Sequence, residues 1–203
     1  YKRSGTEVID VRGVPVADCS VPRISLDDAA WALDVMAPAR SACTTGLPAD
    51  GRTAAHLAAL SAPDPSPKAV LAAARHLTGR GAGLTPAGDD LLLGYACALK
   101  MTGALAASLE ALAVDARGLT TDVSLSYAEA FKRGWVNPVY ASLARAASRR
   151  DREGMLRAID AVTGIGHTSG ADALLGMAIG FSRACSSCKG SRRCSPSHDR
   201  CVA

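Results

Sequence analysis

The sequence predicts a mainly α fold: a compact, multi-helix, bundle-like domain with a small β element at its N-terminal end. Three observations carry that expectation. The chain has 203 residues and is 48% hydrophobic, enough to bury a substantial single core. Aromatic residues make up only 4%, and the alanine- and leucine-rich remainder packs helices closely but suits a β-sandwich poorly. From residue 26 onward, helical segments follow one another over short connections, the pattern of an α-bundle-like domain.

Taken in order, residues 1–25 carry two β-type runs, Glu7–Val11 and Val14–Val16, broken by Gly13 and Pro15. They read as a hairpin or the tail of a sheet. Tyr1 stands first, and the Glu7–Val11 run looks like a strand arriving from something earlier, so 1–25 reads as the end of a β-containing segment. Ser25-Leu-Asp-Asp28 forms a capping box that opens a helix to about Met36, which Pro38 ends. Residues 40–51 form a loop, Arg52–Ser61 a helix, and Ala62–Pro67 a proline-rich connector. A helix from Lys68 to Leu77 stops at Gly79-Arg-Gly-Ala-Gly83. Pro86–Thr102 is apolar nearly all round and is placed as a central buried helix. Further helices are expected over Leu105–Ala116, Val123–Arg133, Pro138–Arg149, Arg152–Val162 and Ala171–Ala184. The helical domain then spans 26–184, and 185–203 forms a flexible tail rich in cysteine, arginine and serine.

One internal echo links two of these helices. Gly88-Asp-Asp-Leu-Leu-Leu-Gly-Tyr-Ala96 aligns without gaps to Gly170-Ala-Asp-Ala-Leu-Leu-Gly-Met-Ala178, each after a glycine-rich turn holding threonine. It reads either as chance in an alanine- and leucine-rich chain or as two related helix starts facing one cleft. The second reading predicts parallel packing, N-termini together, with Gly94 and Gly176 allowing close backbone approach. Asp89, Asp90 and Asp172 would offset the two adjoining positive dipole ends.

Charge and cysteine usage exclude several function classes. The net charge is +4, and Arg183, Lys189, Arg192, Arg193 and Arg200 against Asp199 account for all of it. The remainder is neutral, which argues against nucleic acid as a partner. No run of about 18 apolar residues or secretory signal pattern occurs, so no membrane association is expected. Cys19, Cys43 and Cys97 are scattered and form no disulfide framework, which favours a reducing, cytoplasmic location. Cys185-Ser-Ser-Cys188 with Cys194, His198 and Cys201 offers zinc ligands, but its irregular second half and serine/arginine-rich composition favour a metal-free tail. No cofactor and no metal are expected.

The chemistry concentrates in three segments. In Gly79–Asp90, Thr85 is placed as helix N-cap and Pro86 as first helical residue, so that free N–H groups of the first turn face an anion, with Gly83 and Gly88 permitting close approach. It is neither a Walker A loop nor a clear dinucleotide fingerprint. Asp89 and Asp90 either complement the helix dipole or turn a carboxylate into the cleft to bind an amide N–H, act as a base or hold Mg²⁺ against phosphate. In Gly164–Asp172, His167 sits beside Thr168, Ser169, Gly170 and Asp172, as a structural residue or as part of a site; no Gly-x-Ser-x-Gly elbow supports a hydrolase triad. In Leu119–Ser126, Thr120, Thr121 and Ser124 serve as helix caps or offer hydroxyls to a small polar ligand.

Gly83-Leu-Thr-Pro-Ala-Gly-Asp-Asp90, Thr120-Thr121-x-x-Ser124 and Gly166-His-Thr-Ser-Gly-x-Asp172, in this order, resemble the DUF2877 family over roughly Arg75 to Phe181. That family is similar to the third subunit of bacterial oxamate carbamoyltransferase. The sequence departs from its pattern at Ala82, often proline, and at Ala171, often aromatic. The resemblance implies a subunit of a carbamoyl-transfer enzyme in allantoin and purine-nitrogen breakdown, exchanging oxalurate and phosphate with oxamate and carbamoyl phosphate. It implies an acyl-CoA-synthetase-like subunit and a DUF1116 subunit as partners, and a small anionic substrate. On this reading Asp89 and Asp90 are polar contacts or a base, and His167 donates a proton to the leaving group. The competing expectation is a non-catalytic scaffold or small-anion-binding subunit whose motifs are caps and tight turns.

Overall fold

The structure, a computed structural model, describes residues 17–105 and 116–191. Helices dominate them: α1 (Leu26–Ala42), α2 (Gly51–Ser61), α3 (Pro67–Leu77), α4 (Ala87–Thr102), α5 (Asp122–Lys132), α6 (Pro138–Arg149), α7 (Arg152–Thr163) and α8 (Ser169–Ser191). Side-chain oxygens at the starts satisfy first-turn amides. Ser25 accepts from Asp28, Asp50 from Thr53, Ser66 from Ala69, Thr121 from Ser124, Asn137 from Val139 and Asp151 from Gly154. No described helix is long and apolar enough to cross a membrane.

Three expectations need correcting. Among the described residues there is no strand; the stretch before α1 makes one antiparallel bridge, Ser20 with Trp135, and the runs Glu7–Val11 and Val14–Val16 lie outside the described residues. Pro38 does not end α1, which continues to Ala42. Pro38 and Asp34 are both exposed, so water can satisfy the carbonyl that the missing amide leaves open. The last helix continues past Ala184 to Ser191. The expected Leu105–Ala116 helix falls largely, and Cys194, His198 and Cys201 wholly, outside the described residues. Cys19, Cys43 and Cys97 are free thiols.

Helices α4 and α8 form the centre of the molecule and separate two hydrophobic clusters. Leu60, Val70, Leu77, Leu91, Tyr95 and Leu99 fill one side, where α2 and α3 pack. Met36, Met101, Leu143, Met155, Leu174 and Phe181 fill the other, beneath α1, α6 and α7. The central pair runs parallel: Thr85 Oγ1 lies 2.9 Å from Ser169 Oγ at the N-terminal end, and Gly180 meets Tyr95 and Ala98 further along. At the crossing, a Cβ on Gly94 would stand 2.1 Å from the Ala173 carbonyl oxygen, and one on Gly176 would stand 2.0 Å from that of Leu91. Gly94 is to Ala173 as Gly176 is to Leu91, the same two positions of the repeated segment exchanged. The sequence echo is thus a structural repeat, two helices crossing about an approximate twofold.

Candidate functional site

Because α4 and α8 are parallel, their first turns meet at one end of the molecule. The N-terminus of α6, capped by Asn137, points to the same place. All three line an open cleft of about 840 Å³: Thr85 and Asp90 from α4 and its entry, Ser169 from α8, and Asn137 and Pro138 at the start of α6. Tyr127, Trp135 and Tyr140 form much of its wall. Three helix N-termini give the cleft a positive potential from backbone dipoles.

Asp90 sits at the base of this cleft. It is 6% exposed, and its Oδ2 is buried with no hydrogen-bond partner. Burial pushes its carboxyl up to about 6, Asp172 and Asp89 add to the rise, and the Ser169 and Thr85 hydroxyls oppose it. An unpaired buried acceptor is costly to the fold, so a ligand N–H or a transferable proton suits that oxygen. Across the cleft, Tyr140 is 5% exposed, and burial also raises its phenol, with the charge of Asp90 contributing. The phenol therefore stays protonated and available as a donor.

The second repeat's aspartate, Asp172, is wholly buried and already occupied. The Gly46 amide donates to its Oδ1 and Oδ2 at 3.1 and 3.2 Å. Burial pushes this carboxyl to about 6 as well, opposed by the Gly46 amide and the Thr168 hydroxyl. Asp172 thus fastens the α1–α2 loop over the start of α8. A Cβ on Gly46 would stand 2.5 Å from Thr168 Oγ1.

The other residues singled out in the sequence divide between this cleft and structural duties. Asp89 faces away from Asp90: its Oδ1 accepts from the Gly79 amide at 2.8 Å, and the Thr120 hydroxyl donates to its Oδ2. With Ser124, whose hydroxyl is buried and unpartnered, Asp89 and Thr120 border a separate, mainly apolar pocket of about 90 Å³. Thr121 caps α5 and donates to the Leu84 carbonyl at 2.5 Å. Gly83 lies exposed at φ 101° with open space around its Cα. His167 is exposed and does not line the cleft.

Two expectations about the helix starts are corrected here. Thr85 does not cap α4; Pro86 holds the N-cap position, with no side-chain cap bond. Proline's fixed φ sets the entry, leaving Thr85 free to bond Ser169. The first-turn amides are not all free either. Gly88 donates to the Arg80 carbonyl at 2.8 Å and Gly170 to the Ile165 carbonyl at 3.0 Å. Each glycine also lies where a Cβ would strike the end of the preceding helix, at the Leu77 and Val162 carbonyls. These glycines serve packing in both repeats.

Sequence reasoning missed Gly46, Tyr127, Trp135, Asn137 and Tyr140. Asn137-Pro138 carried a readable signal, a cap followed by proline at the first helical position. For the others the residue pattern holds none, because the tertiary fold alone brings them to α4 and α8.

The two buried acids predict a pH effect on stability. Their folded values near 6 exceed the ordinary carboxylate value of 3.8, so between these limits the folded state binds more protons than the unfolded one. The stabilisation from protonation is complete below about 4 and is lost as pH rises through about 6. Thermal melts of wild type and Asp90→Asn across pH 4 to 8 should show the variant gaining stability relative to wild type as pH rises. A difference independent of pH would contradict the raised value for Asp90.

Residues 77–181 match the family described as oxamate carbamoyltransferase subunit AllH. No solved structure matches the chain.

Proposed function

The chain belongs to the oxamate carbamoyltransferase subunit AllH family, and from this premise we propose that its cleft binds the substrates of carbamoyl transfer, with Asp90 as the proton-handling group. The reaction is the exchange of oxalurate and phosphate with oxamate and carbamoyl phosphate, in a cytoplasmic assembly serving purine-nitrogen breakdown. Its partners are the acyl-CoA-synthetase-like and DUF1116 subunits that the resemblance implies.

The observation that carries this reading is the buried, unpartnered Oδ2 of Asp90 at the base of a cleft surrounded by three helix N-termini. Oxamate presents a carboxylate and an amide. The helix N-termini favour the carboxylate, and Asp90 accepts from the amide. In the synthetic direction the oxamate amide nitrogen forms a bond to the carbamoyl carbon, and the bond from that carbon to the phosphate oxygen breaks. The amide proton passes to Asp90 and then to the departing phosphate. Tyr140 donates to the carbamoyl oxygen as negative charge develops there. His167 has no part in this reading, since it is exposed and outside the cleft lining.

A scaffold reading has its own support: Asp89, Thr120, Thr121, Gly88 and Gly170 are all engaged in holding turns and helix ends together. Reconstitution separates the two. The assembled enzyme should convert oxalurate and inorganic phosphate to oxamate and carbamoyl phosphate only when this chain is present. Full activity of the complete assembly carrying Asp90→Asn would leave the chain a scaffold.

A further inference from the structure

The reading of the cleft as an anion-transfer site leaves it short of charge. Its lining contains Asp18 and Asp90 and, among the described residues, no lysine, arginine or histidine. Arg145 is committed to Asp18, with Nη1 donating to Oδ2 at 3.0 Å. Helix N-termini supply about half a charge each, and two of their amides are spent on Arg80 and Ile165. Carbamoyl phosphate, phosphate and oxamate bring one to two negative charges apiece, so their binding calls for a full positive charge from elsewhere.

Beside the cleft mouth lies an apolar surface that the other described residues leave exposed. Leu84 is 73% exposed, Leu119 57%, Val123 38% and Tyr127 49%. Three segments make this surface one patch. Thr121 ties its turn to the Leu84 carbonyl, and Val123 and Tyr127 lie one turn apart on the outer face of α5. Tyr127 belongs both to the patch and to the cleft wall, so whatever covers the patch also reaches the mouth. Clustered exposed leucines beside a functional cleft mark an interaction surface.

We infer that the lip formed by Leu84, Leu119, Val123 and Tyr127 seats another subunit of the carbamoyltransferase, which places an arginine or lysine over the cleft mouth and completes the anion site. The inference rests on the reading of the cleft given above. The occupant is a protein with an apolar contact face and a basic side chain at its edge, because the patch is apolar and the described cleft lining offers an anion no cationic side chain.

The test uses the full chain and the remaining enzyme subunits. Leu119→Asp/Val123→Asp places acids at an exposed turn and in the first turn of α5, where they are compatible with folding. It should weaken assembly, measured by sedimentation, by at least about tenfold. Leu119→Met/Val123→Ile should assemble as wild type does. Calorimetry with inorganic phosphate and with oxamate should detect binding to the assembled enzyme and at least about tenfold weaker binding to the isolated chain. Three results would overturn the inference: wild-type assembly of the acidic variant, equal anion affinity with and without partners, or loss only of self-association in the acidic variant. Asp90→Asn should still assemble. If it assembles and is fully active, the reading of the cleft fails while the interface stands.

Discussion

Replacing Asp90 by asparagine is expected to lower the rate of oxamate carbamoylation by about 10²- to 10⁴-fold, the range that one positioned acid–base group contributes. The substitution keeps the volume and leaves an oxygen to accept from an amide, so substrate binding should change less than turnover. The loss should fall mainly on kcat rather than KM. Wild-type rate should decline as pH drops through about 6, because the base must be ionised to take the amide proton and burial holds Asp90 at about that value. The variant should lose that acidic limb. Asp89→Asn serves as the contrast. It sits next in sequence but is spent on the Gly79 amide and Thr120, so its removal should cost stability and leave the pH profile in place. Equal kinetic effects at the two positions would remove Asp90's special role.

The helices were legible in the sequence wherever capping chemistry and apolar period agreed. Ser25 caps α1 as its capping box predicts, whereas Ser66-Pro67, which the sequence placed in the connector, opens α3. The start of α4 was misread because Thr85-Pro86 offers the same local pattern, yet the hydroxyl finds Ser169 across the helix pair instead of its own helix. The distinction is tertiary and has no local signature. The same holds for the two adjacent aspartates: a helix turns about 100° per residue, so Asp89 and Asp90 point to different surroundings, and sequence alone could not say which faced the cleft. The repeat itself was visible but stood beside chance as an alternative, and the backbone contacts at Gly94 and Gly176 decide for the parallel pair. Gly46 was not readable, because nothing around it in the sequence announces a partner in α8.

The largest stability effect is expected at the crossing of the central helices. In an exposed helix, glycine to alanine gains about 1 kcal/mol. Gly94→Ala and Gly176→Ala should instead destabilise the fold, each by about 2–4 kcal/mol, in the upper range of overpacking changes. Their methyl groups would enter at 2.1 and 2.0 Å from the Ala173 and Leu91 carbonyl oxygens. Those oxygens belong to helical backbone and cannot swing aside, so the helices must separate. A gap of 0.5–1 Å forfeits roughly a quarter to a half of the dispersion energy across each affected contact, and Leu91, Tyr95, Leu174 and Met177 are all wholly buried along this seam. Gly51→Ala is the control, because nothing lies within 4 Å of its added Cβ and it should be neutral or stabilising. The double variant Gly94→Ala/Gly176→Ala should cost less than the two singles combined, since separation forced by one methyl already makes room for the other. Urea unfolding of the four variants decides the matter. If Gly94→Ala is as well tolerated as Gly51→Ala, the helices are not in backbone contact and the parallel arrangement that brings Thr85, Asp90 and Ser169 to one cleft loses its support.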